Sequence, residues 1–503
     1  MDRVVIVDAV STGKNYVKDC IDRGLEPIVL EPLGLSETMA IELEKDHRST
    51  YSSFPKGIRI LQEKPEYNET LEMIKELHPV LVIPGCETGV ILATRLADDL
   101  GLPGNSYRNI DKMTDKFAMQ EALREYGIRY IRSRMVSTEE EALEAYREMG
   151  TEDIVVKPFK GAGSMNVFLC HGEEEMLTAF RSSHGKDNVV AAASDKVLLQ
   201  ERIIGEEYIV NTLSCNGKHR LASIWRYDRK RTEEGNNVHV GALSVNRLSG
   251  EHVRLVRYAY QTLNALGIRY GAVHGEFMMD NKGPVLIEAN CRVMGGNMSA
   301  EYVNLIFGHH ETDVALDSYL EPAKFEEQAK EPYRPRRLGI IKSFYSTEEY
   351  QLRSSPVMVL LPRIRSYFDG IVTSAGIDDM ITKTKDFESK IGIAYLVHND
   401  EAVVRNDYEK LCRLERDYLH LLYEPMTEDG KRWDEDGDVE DFVLNVMKKC
   451  KGLRLGDTIR ITKEEYSCCP YGLNGMAMLL MLAGMRIEAP KPEDGEDLFA
   501  TME

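Results

Sequence analysis

The sequence predicts a multidomain fold that combines α/β and α+β parts. Its 503 residues are enough for about three domains of ordinary size. The chain opens with an apolar strand, a turn, a helical stretch and a second strand, which is the βαβ order of an α/β domain. From residue 154 to residue 300, glycines separate short strands, and this pattern is typical of an antiparallel α+β domain.

The composition excludes several classes of function. Lys and Arg number 63 against 83 Asp and Glu, so the net charge is −20 and no general basic field is available to bind nucleic acid or an anionic membrane. The nine cysteines show no CxxC or CxxH spacing, so we expect reduced thiols without structural zinc. The longest apolar run, 476–485, is about half of a membrane-spanning helix. We therefore predict a cytoplasmic protein with no nucleic-acid or membrane partner.

The first part of the chain reads as the α/β domain. Strands are predicted at 4–7, 27–30 and 80–83, with helices at 14–23 and 88–100. The first turn lacks the G-x-G-x-x-G motif of dinucleotide sites. Glu87 follows the third strand at the carboxyl edge of the sheet, and we interpret it as an exposed, solvated glutamate. The Leu-Pro-Gly-Asn turn after the second helix places a domain boundary near residue 108.

A lysine and a glycine-rich loop follow in the next domain. The strand at 154–158 carries Lys157 and leads into the segment Lys160-Gly161-Ala162-Gly163-Ser164. Backbone N–H groups in such a loop can approach phosphate oxygens, and the lysine supplies a point charge. The G-x-G pattern alone favours an ordinary tight hairpin, and the lysine adds modest support for phosphate binding.

The most specific pattern is a hairpin between residues 273 and 292. If the loop consists of residues 281–283, with the left-handed glycine last, Asp280 pairs with Pro284. Glu276 then lies directly opposite Glu288, and their Cβ atoms are only about 5 Å apart. Since side chains alternate between faces, one face is polar and the other apolar. The polar face carries His274, Glu276, Glu288, Asn290 and Arg292, and the apolar face carries Phe277, Ile287, Ala289 and Cys291.

Two carboxylates at this distance repel each other unless a cation lies between them. Oxygen ligands of this kind suit Mg²⁺ or Mn²⁺ better than zinc. The alternative is a solvated sheet face on which Arg292 merely neutralises Glu288. Five polar groups beside an apolar opposite face favour the metal site.

Other parts of the chain are less informative. Residues 199–208 read on their own as a linker between two strands. After a Pro-rich basic stretch at 331–337, short strands and a helix near 400–423 form a further block. The sequence of the last 80 residues does not indicate a function.

Taken in order, these segments resemble the ATP-grasp superfamily of carboxylate–amine ligases, over about residues 1–420 and most densely over 110–300. DKMTDKFAM resembles the start of the ATP-binding half, VVKPFKGAGS the second lysine strand with its phosphate-covering loop, and QERIIGEEY the hinge beside the adenine. GEFMMDNKGPVLIEANCR resembles the metal hairpin. The HGEF, EANCRVMGG and PGCETGVILATRLADDLGLPGN segments are most similar to the amino-acid (dipeptide) ligase branch.

The resemblance implies an ATP-grasp fold with an N-terminal Rossmann-like domain and a C-terminal small β/α domain. Residues 1–108 would form the Rossmann-like domain, and 109–330 the ATP-grasp domain with a lid at about 120–200. Residues 331–423 would form the small closing domain. Residues 424–503 are an extension of unknown role.

The resemblance also implies roles for individual residues. Those assigned to ATP are Lys116, Lys157, Gly161, Gly163 and Ser164, the main chain near Glu201 and Ile203, and Glu207 at the ribose. Those assigned to Mg²⁺ or Mn²⁺ are Glu276, Glu288 and Asn290. Arg292 would contact the reacting acyl group. His274 either orients phosphate or carboxylate, or is a structural histidine hydrogen-bonded to Asn290.

These roles predict an ADP-forming ligase that joins a small carboxylic acid, such as an amino acid, to an amine through an acyl phosphate. Its partners would be small-molecule substrates, and the oligomeric state stays open, with a homodimer as one option. One alternative is a nucleotide-binding regulatory or scaffold protein with the same fold. Another is a ligase that loads a carrier protein or a peptide.

Trp225 and Arg226 end a strand of the same predicted sheet, and a basic, polar loop follows them. We expect both residues to border the substrate pocket. The alternative is an ordinary solvated basic loop.

Overall fold

The computed structural model of the chain describes residues 1–33, 48, 50–158, 167–185, 195–231, 237–354, 361, 364–372, 380–385, 389–417, 424–425, 449–450, 452–467, 476–477, 479–481, 485–488 and 497–502. Within these residues, no helix has both the length and the apolar character needed to cross a bilayer.

The chain divides into two compact units. The first unit contains Met1–Asp228, Glu233–Asn236 and Leu243–Arg336, and the second contains Arg229–Thr232, Asn237–Ala242 and Arg337–Glu503. The finer four-part division stays a prediction.

A parallel sheet opens the first unit, as the βαβ pattern predicts. Its strands are β1 (Arg3–Val7), β2 (Glu26–Glu31), β3 (Arg59–Gln62) and β4 (Leu81–Pro84), in the order β3-β2-β1-β4. Its helices are α1 (Asn15–Asp22), α2 (Tyr67–Lys75) and α3 (Val90–Asp99). Val4 and Ile6 pack into one apolar core while Val5 and Val7 pack into another. Burial on both faces explains why this strand is an unbroken apolar run.

Two glycines let the loops at the carboxyl edge of this sheet approach closely. A Cβ atom on Gly13 would overlap the carbonyl group of Gly85, and one on Gly85 would overlap the carbonyl oxygen of Asp8. Asp8 is fully buried with a left-handed φ of 60°, and its carboxylate accepts a hydrogen bond from Thr88. The backbone contact therefore requires glycine at both positions.

An antiparallel sheet follows, in the order β5-β8-β6-β7. Its strands are β5 (Ser133–Val136), β6 (Asp153–Pro158), β7 (Phe168–His171) and β8 (Val197–Glu201). Helices α4 (Ile110–Thr114) and α5 (Lys116–Tyr126) precede this sheet, and α6 (Glu139–Met149) and α7 (Glu173–Ser183) pack on it. Thr138 caps α6 and Gly150 ends it in the left-handed conformation, which is the usual pair of helix signals.

A larger antiparallel sheet of the first unit contains the predicted hairpin. Its strands are β9 (Glu206–Cys215), β10 (Lys218–Arg231), β12 (Gly271–Asp280) and β13 (Gly283–Asn290), in the order β13-β12-β9-β10. The connecting helix α8 (Gly250–Leu266) begins with a capping box at Ser249. Helices α9 (Ala300–Phe307), α10 (Glu311–Leu320) and α11 (Pro322–Gln328) complete the unit.

The second unit contains a sheet in the order β11-β14-β18-β16. Its strands are β11 (Asn237–Ser244), β14 (Leu338–Phe344), β16 (Tyr367–Val372) and β18 (Gly392–His398). The shorter strands are β15 (Tyr350–Ser354), β17 (Met380–Ile381), β19 (Glu424–Pro425), β20 (Thr458–Ile461), β21 (Met485–Glu488) and β22 (Leu498–Met502). The helices of this unit include α12 (Glu401–Asp417) and the short α13 (Lys463–Ser467).

A buried ion pair joins β14 to α12. Lys342 Nζ lies 2.5 Å from Glu415 Oε2, and the two side chains are 0% and 1% exposed. The lysine also donates to the Ser343 carbonyl oxygen at 2.7 Å, and the glutamate accepts the Tyr345 N–H at 2.9 Å. Each charge therefore has its partner inside the protein.

We predict that Lys342→Met lowers the free energy of unfolding of this unit by about 3–5 kcal/mol, because it leaves the Glu415 charge buried and unpaired. The double variant Lys342→Met/Glu415→Leu should recover most of the loss. Denaturant titration measures both. The control is Arg405→Met, which removes an exposed pair with Glu401 (49% and 46% exposed) and should change stability by less than about 1 kcal/mol. Equal effects of the two single variants would contradict the prediction.

Candidate active site

Three rows of side chains cross one face of the larger antiparallel sheet. Strands β9, β12 and β13 place Asn211, His274 and Asn290 side by side in the first row, Ile209, Glu276 and Glu288 in the second, and Glu207, Met278 and Val285 in the third. The opposite face carries Tyr208, Phe277 and Leu286, which belong to the apolar core. The site is therefore one polar face of a sheet whose other face is core.

The predicted register of the hairpin is confirmed, although the predicted turn is wrong. Glu276 pairs with Glu288 as expected, but Asp280 pairs with Gly283, so the loop has two residues rather than three. A bulge beside Glu276 adds one residue to β13 and restores the register. The bulge also moves Ile287, which packs with Met278 on the site face instead of lying with Phe277.

The carboxylate row is held by a lysine. Lys116 Nζ lies 3.0 Å from Glu288 Oε2, and both side chains are mostly buried. Lys116 begins α5, where the side chain of Asp115 accepts two backbone N–H groups of the first turn. The cap fixes the start of the helix and with it the position of the lysine.

Lys157 reaches the same charges from β6. Burial and the positive charge of Lys116 lower its pKa to about 8, while Glu288 and Glu276 act in the opposite direction. A polyanion beside Lys157 would restore its charge. This electrostatic setting is the one expected of a phosphate-binding lysine.

His274 is a buried member of the first row. Its Nδ1 lies 2.9 Å from Asn211 Oδ1, and its Nε2 lies 3.3 Å from Glu276 Oε1. One of the two alternatives predicted for His274 was a hydrogen bond to Asn290, whereas its two ring nitrogens contact Asn211 and Glu276. The imidazole therefore orients a carboxylate of the second row.

Arg292 lies where the parallel sheet meets this face. Its Nε is 3.1 Å from Glu87 Oε2, with exposed fractions of 13% and 20%, and its Nη1 donates to the Val293 carbonyl oxygen at 3.0 Å. The interpretation of Glu87 as a solvated glutamate is wrong, because the turn after β4 directs it to the guanidinium. Burial raises the pKa of Glu87, and Arg292 opposes this shift.

The third row lies beside an apolar patch. This patch contains Ile131, Ile203, Met278, Val285 and Ile287. Glu207 is buried opposite Met278, next to the patch. A flat apolar ring and a hydroxyl-bearing group would find matching surfaces here.

The hinge residue Glu201 has partners of its own. Its carboxylate pairs with Arg132 at 2.9 Å, and its N–H donates to the Arg132 carbonyl oxygen at 3.0 Å. The contact of the main chain near Glu201 and Ile203 with a base stays a prediction. The predicted loop residues Gly161, Gly163 and Ser164 lie outside the described residues.

Strand alternation separates Trp225 from Arg226. Trp225 lies opposite Ile209, on the site face, and is almost fully buried. Arg226 lies opposite Tyr208, on the core face, and pairs with Glu206 at 3.2 Å. The expectation that Arg226 borders the pocket is therefore wrong.

Hydrogen bonds join the segment at 11–15 to the loop at 297–298, which follows Arg292 in the sequence. Asn297 N–H donates to Ser11 Oγ at 3.1 Å, Met298 N–H donates to Thr12 Oγ1 at 3.0 Å, and Asn15 donates to the Met298 carbonyl oxygen at 2.9 Å. Ser11 and Asn297 both have left-handed backbone, with φ of 53° and 56°. Strained residues of this kind persist where the surroundings over-determine them, often at functional sites.

Residues 151–301, which include the hairpin and β6, match the sequence profile of the ATP-grasp domain. The chain contains an ATP-grasp domain. Dapdiamide A synthase from Enterobacter agglomerans is 27% identical over 362 residues, which cover 69% of this chain and 83% of the relative.

The ATP-grasp fold extends over most of the chain. The L-amino acid ligase from Bacillus licheniformis superposes with a TM-score of 0.63 at 16% identity, covering 82% of this chain and 97% of that one. The biotin carboxylase domain of 2-oxoglutarate carboxylase from Hydrogenobacter thermophilus, solved with ADP and its magnesium salt, gives 0.51 at 15% identity, covering 84% and 90%.

Three residues that contact this site were not predicted from the sequence to belong to it. Glu87 had a signal, since it follows a strand at the carboxyl edge of the parallel sheet. Asn211 had a weaker one, since it lies four residues after Glu207 on the same strand face. Glu311, which accepts hydrogen bonds from Ser223 and the Met294 N–H, had none.

We predict that Lys157→Met stabilises the protein more at pH 7 than at pH 10. The folded-state pKa of about 8 lies below the ordinary 10.5, so protonation of Lys157 opposes folding at neutral pH, and this effect fades as the pH rises from about 8 to 10.5. The difference between the two pH values should be on the order of 2 kcal/mol in denaturant unfolding. Lys282→Met, at an exposed lysine of the hairpin turn, is the control and should show none. A pH-independent effect at Lys157 would contradict the shift.

Proposed function

We propose that this chain is an ATP-dependent carboxylate–amine ligase. A substrate carboxylate attacks the γ-phosphorus of ATP, which releases ADP and forms an acyl phosphate, and an amine then displaces phosphate to form an amide. The observation that carries the proposal is the carboxylate row, Glu276 and Glu288, with Lys116 and Lys157 around it and Arg292 beside it. The names of a dapdiamide synthase and an L-amino acid ligase support the same reaction class.

The carboxylate row fits Mg²⁺, with Mn²⁺ as the alternative. Across the described ranges, no group of three or more His, Cys, Asp and Glu side chains could hold a metal by itself. Mg²⁺ is commonly bound by one or two carboxylates and takes its other ligands from water and substrate phosphates. We assign Glu276, Glu288 and the Asn290 amide to it, and when bound it neutralises phosphate charge at the site.

The remaining ATP contacts follow from the neighbouring surfaces. Lys116 and Lys157 bind phosphate oxygens, and the Glu207 carboxylate accepts hydrogen bonds from the ribose hydroxyls. The apolar patch around Met278 receives the adenine, with the hinge at Glu201 and Ile203 along its edge. The loop that contains Gly161, Gly163 and Ser164 covers the phosphates and excludes water, which would otherwise hydrolyse the acyl phosphate.

Arg292 stabilises the acyl oxygen as negative charge develops on it. Glu87 holds the guanidinium through Nε and the Val293 carbonyl oxygen accepts from Nη1, so we assign Nη2 to the substrate. Next to it, a Cβ on Gly295 or Gly296 would meet open space, so this corner has room for a small substrate. We therefore propose a small acid, in particular an amino acid, as the activated substrate, and a free amine as the acceptor. We propose the cytoplasm as the location.

Incubation with ATP, Mg²⁺ and pooled amino acids should release ADP and phosphate and give an amide by mass spectrometry. ADP is the discriminating product, because an adenylating ligase would give AMP and pyrophosphate. Hydroxylamine should trap the activated acid as a hydroxamate before the natural amine is known. ADP release that no carboxylate stimulates, even with peptide or carrier acceptors, would favour the scaffold alternative.

Glu288→Gln should lower Mg²⁺-dependent turnover by about 100-fold or more, because a metal carboxylate is lost. The melting temperature should stay within a few degrees, since the lost pair with Lys116 and the relieved repulsion from Glu276 oppose each other. Glu206→Gln is the matched control, because Glu206 is an exposed carboxylate on the same strand as Glu207. Unfolding of Glu288→Gln without a specific loss of turnover would indicate a structural role.

A further inference from the structure

A chain of hydrogen bonds leads from the carboxylate row to a glutamate of another element. His274 Nε2 contacts Glu276, and its Nδ1 contacts Asn211 Oδ1 at 2.9 Å. Asn211 Nδ2 donates to Ser223 Oγ at 2.9 Å, and Ser223 Oγ donates to Glu311 Oε1 at 3.2 Å. Four side chains, from Glu311 through Ser223 and Asn211 to His274, thus connect the start of α10 to Glu276.

The chemistry of each group gives this chain a direction. Trp225 Nε1, which can only donate, lies 3.2 Å from Ser223 Oγ. An ionised Glu311 only accepts, so Ser223 gives its one proton to Glu311 and accepts from Trp225 and from the Asn211 amide NH₂. Asn211 then presents its oxygen to the imidazole. The Nδ1 of His274 must therefore carry a proton, and the Nε2 faces Glu276.

Glu311 also holds the loop that follows Arg292. Its second oxygen, Oε2, accepts the Met294 N–H at 3.1 Å. Glu311 is the first residue of α10, where the helix dipole favours a negative charge. Burial raises the pKa of this carboxyl, whereas the Met294 N–H, the nearby His274 and hydrogen bonds from Ser223 and Asn211 lower it. Glu311 thus contacts both the hydrogen-bond chain that leads to Glu276 and the loop that follows Arg292.

We propose that Glu311 is a positioning residue for the ligase reaction: through Ser223 and Asn211 it fixes the Nδ1–H tautomer and the ring orientation of His274, and thereby the orientation of the metal carboxylate Glu276. This inference rests on the proposed function for its catalytic meaning. The hydrogen-bond arrangement itself is a property of the protein without substrates.

Two variants break this hydrogen-bond chain at different residues. Glu311→Gln keeps the shape of the side chain. Its amide oxygen accepts the Met294 N–H, so its NH₂ group faces Ser223 as a donor, and the direction of the hydrogen-bond chain is lost. Ser223→Ala leaves Glu311 and its Met294 contact in place and removes the hydroxyl that contacts Glu311, Asn211 and Trp225 Nε1. The matched control is Thr312→Val, which removes a buried hydrogen bond from the next residue of α10 to Asp19 and does not touch the chain.

The first measurement is the ¹⁵N spectrum of His274 in the full-length protein without ligands, assigned with the His274→Asn variant. The wild type and Thr312→Val should show a protonated Nδ1, and Glu311→Gln and Ser223→Ala should show signal shifted towards the Nε2–H tautomer. The second is the affinity for Mn²⁺ with a non-hydrolysable ATP analogue, measured by electron paramagnetic resonance. It should fall about tenfold in the two variants and stay unchanged in the control.

A protonated Nδ1 and a Mn²⁺ affinity within twofold of wild type in Ser223→Ala would overturn the proposal, whether or not Glu311→Gln folds. Failure of the proposed function is a separate result. If wild-type protein forms no amide but the spectra and Mn²⁺ affinities change as described, the positioning role stands and the ligase assignment falls. If the wild type is active and neither variant differs from Thr312→Val, the ligase assignment stands and the positioning role falls.

Discussion

The site depends on two like charges that the sheet holds directly opposite each other. Glu276 and Glu288 are cross-strand neighbours, and a pair of carboxylates in this position is unfavourable unless cations compensate it. Lys116 approaches from the start of a helix, and Lys157 from a strand of another sheet. Both lysines therefore compensate the same pair of negative charges, and this is the arrangement to which we assign a metal and a polyphosphate.

Most polar side chains of this face are buried, so few of them can exchange a protein partner for water. His274, Asn211, Glu207 and Asn290 are all buried, so each of their polar groups must find a partner inside the protein or on a ligand. Neighbouring strands and the loop after Arg292 supply such partners to His274 and Asn211. We therefore expect a substitution in one row to change the hydrogen bonds of another row. The solvated faces of most antiparallel sheets differ in this respect, because water can replace a lost partner there.

Much of the larger sheet could be predicted from the sequence, because side-chain alternation along a strand is a local property. The facing of Glu276 with Glu288 and of His274 with Asn290 followed from counting residues across the turn. The count contained two compensating errors, a shorter loop and a bulge, and of the residues assigned to a face Ile287 is the one that moved. What alternation could not supply was the partner of a side chain on a distant element. The ion pair of Glu87 with Arg292 and the contact of Glu311 with Ser223 join residues about 200 and 90 positions apart, and neither is encoded in a local pattern.

The close backbone contact between Gly13 and Gly85 has a consequence for how such a protein diversifies. Since any side chain at either position would collide with a carbonyl group, mutation cannot change the path of the two loops where they meet. The loop at 294–298 is different, because it is held by side-chain hydroxyl and amide groups of Ser11, Thr12 and Asn15. Changes in substrate preference during evolution would therefore accumulate in the loop at 294–298, while the contact between Gly13 and Gly85 stays the same.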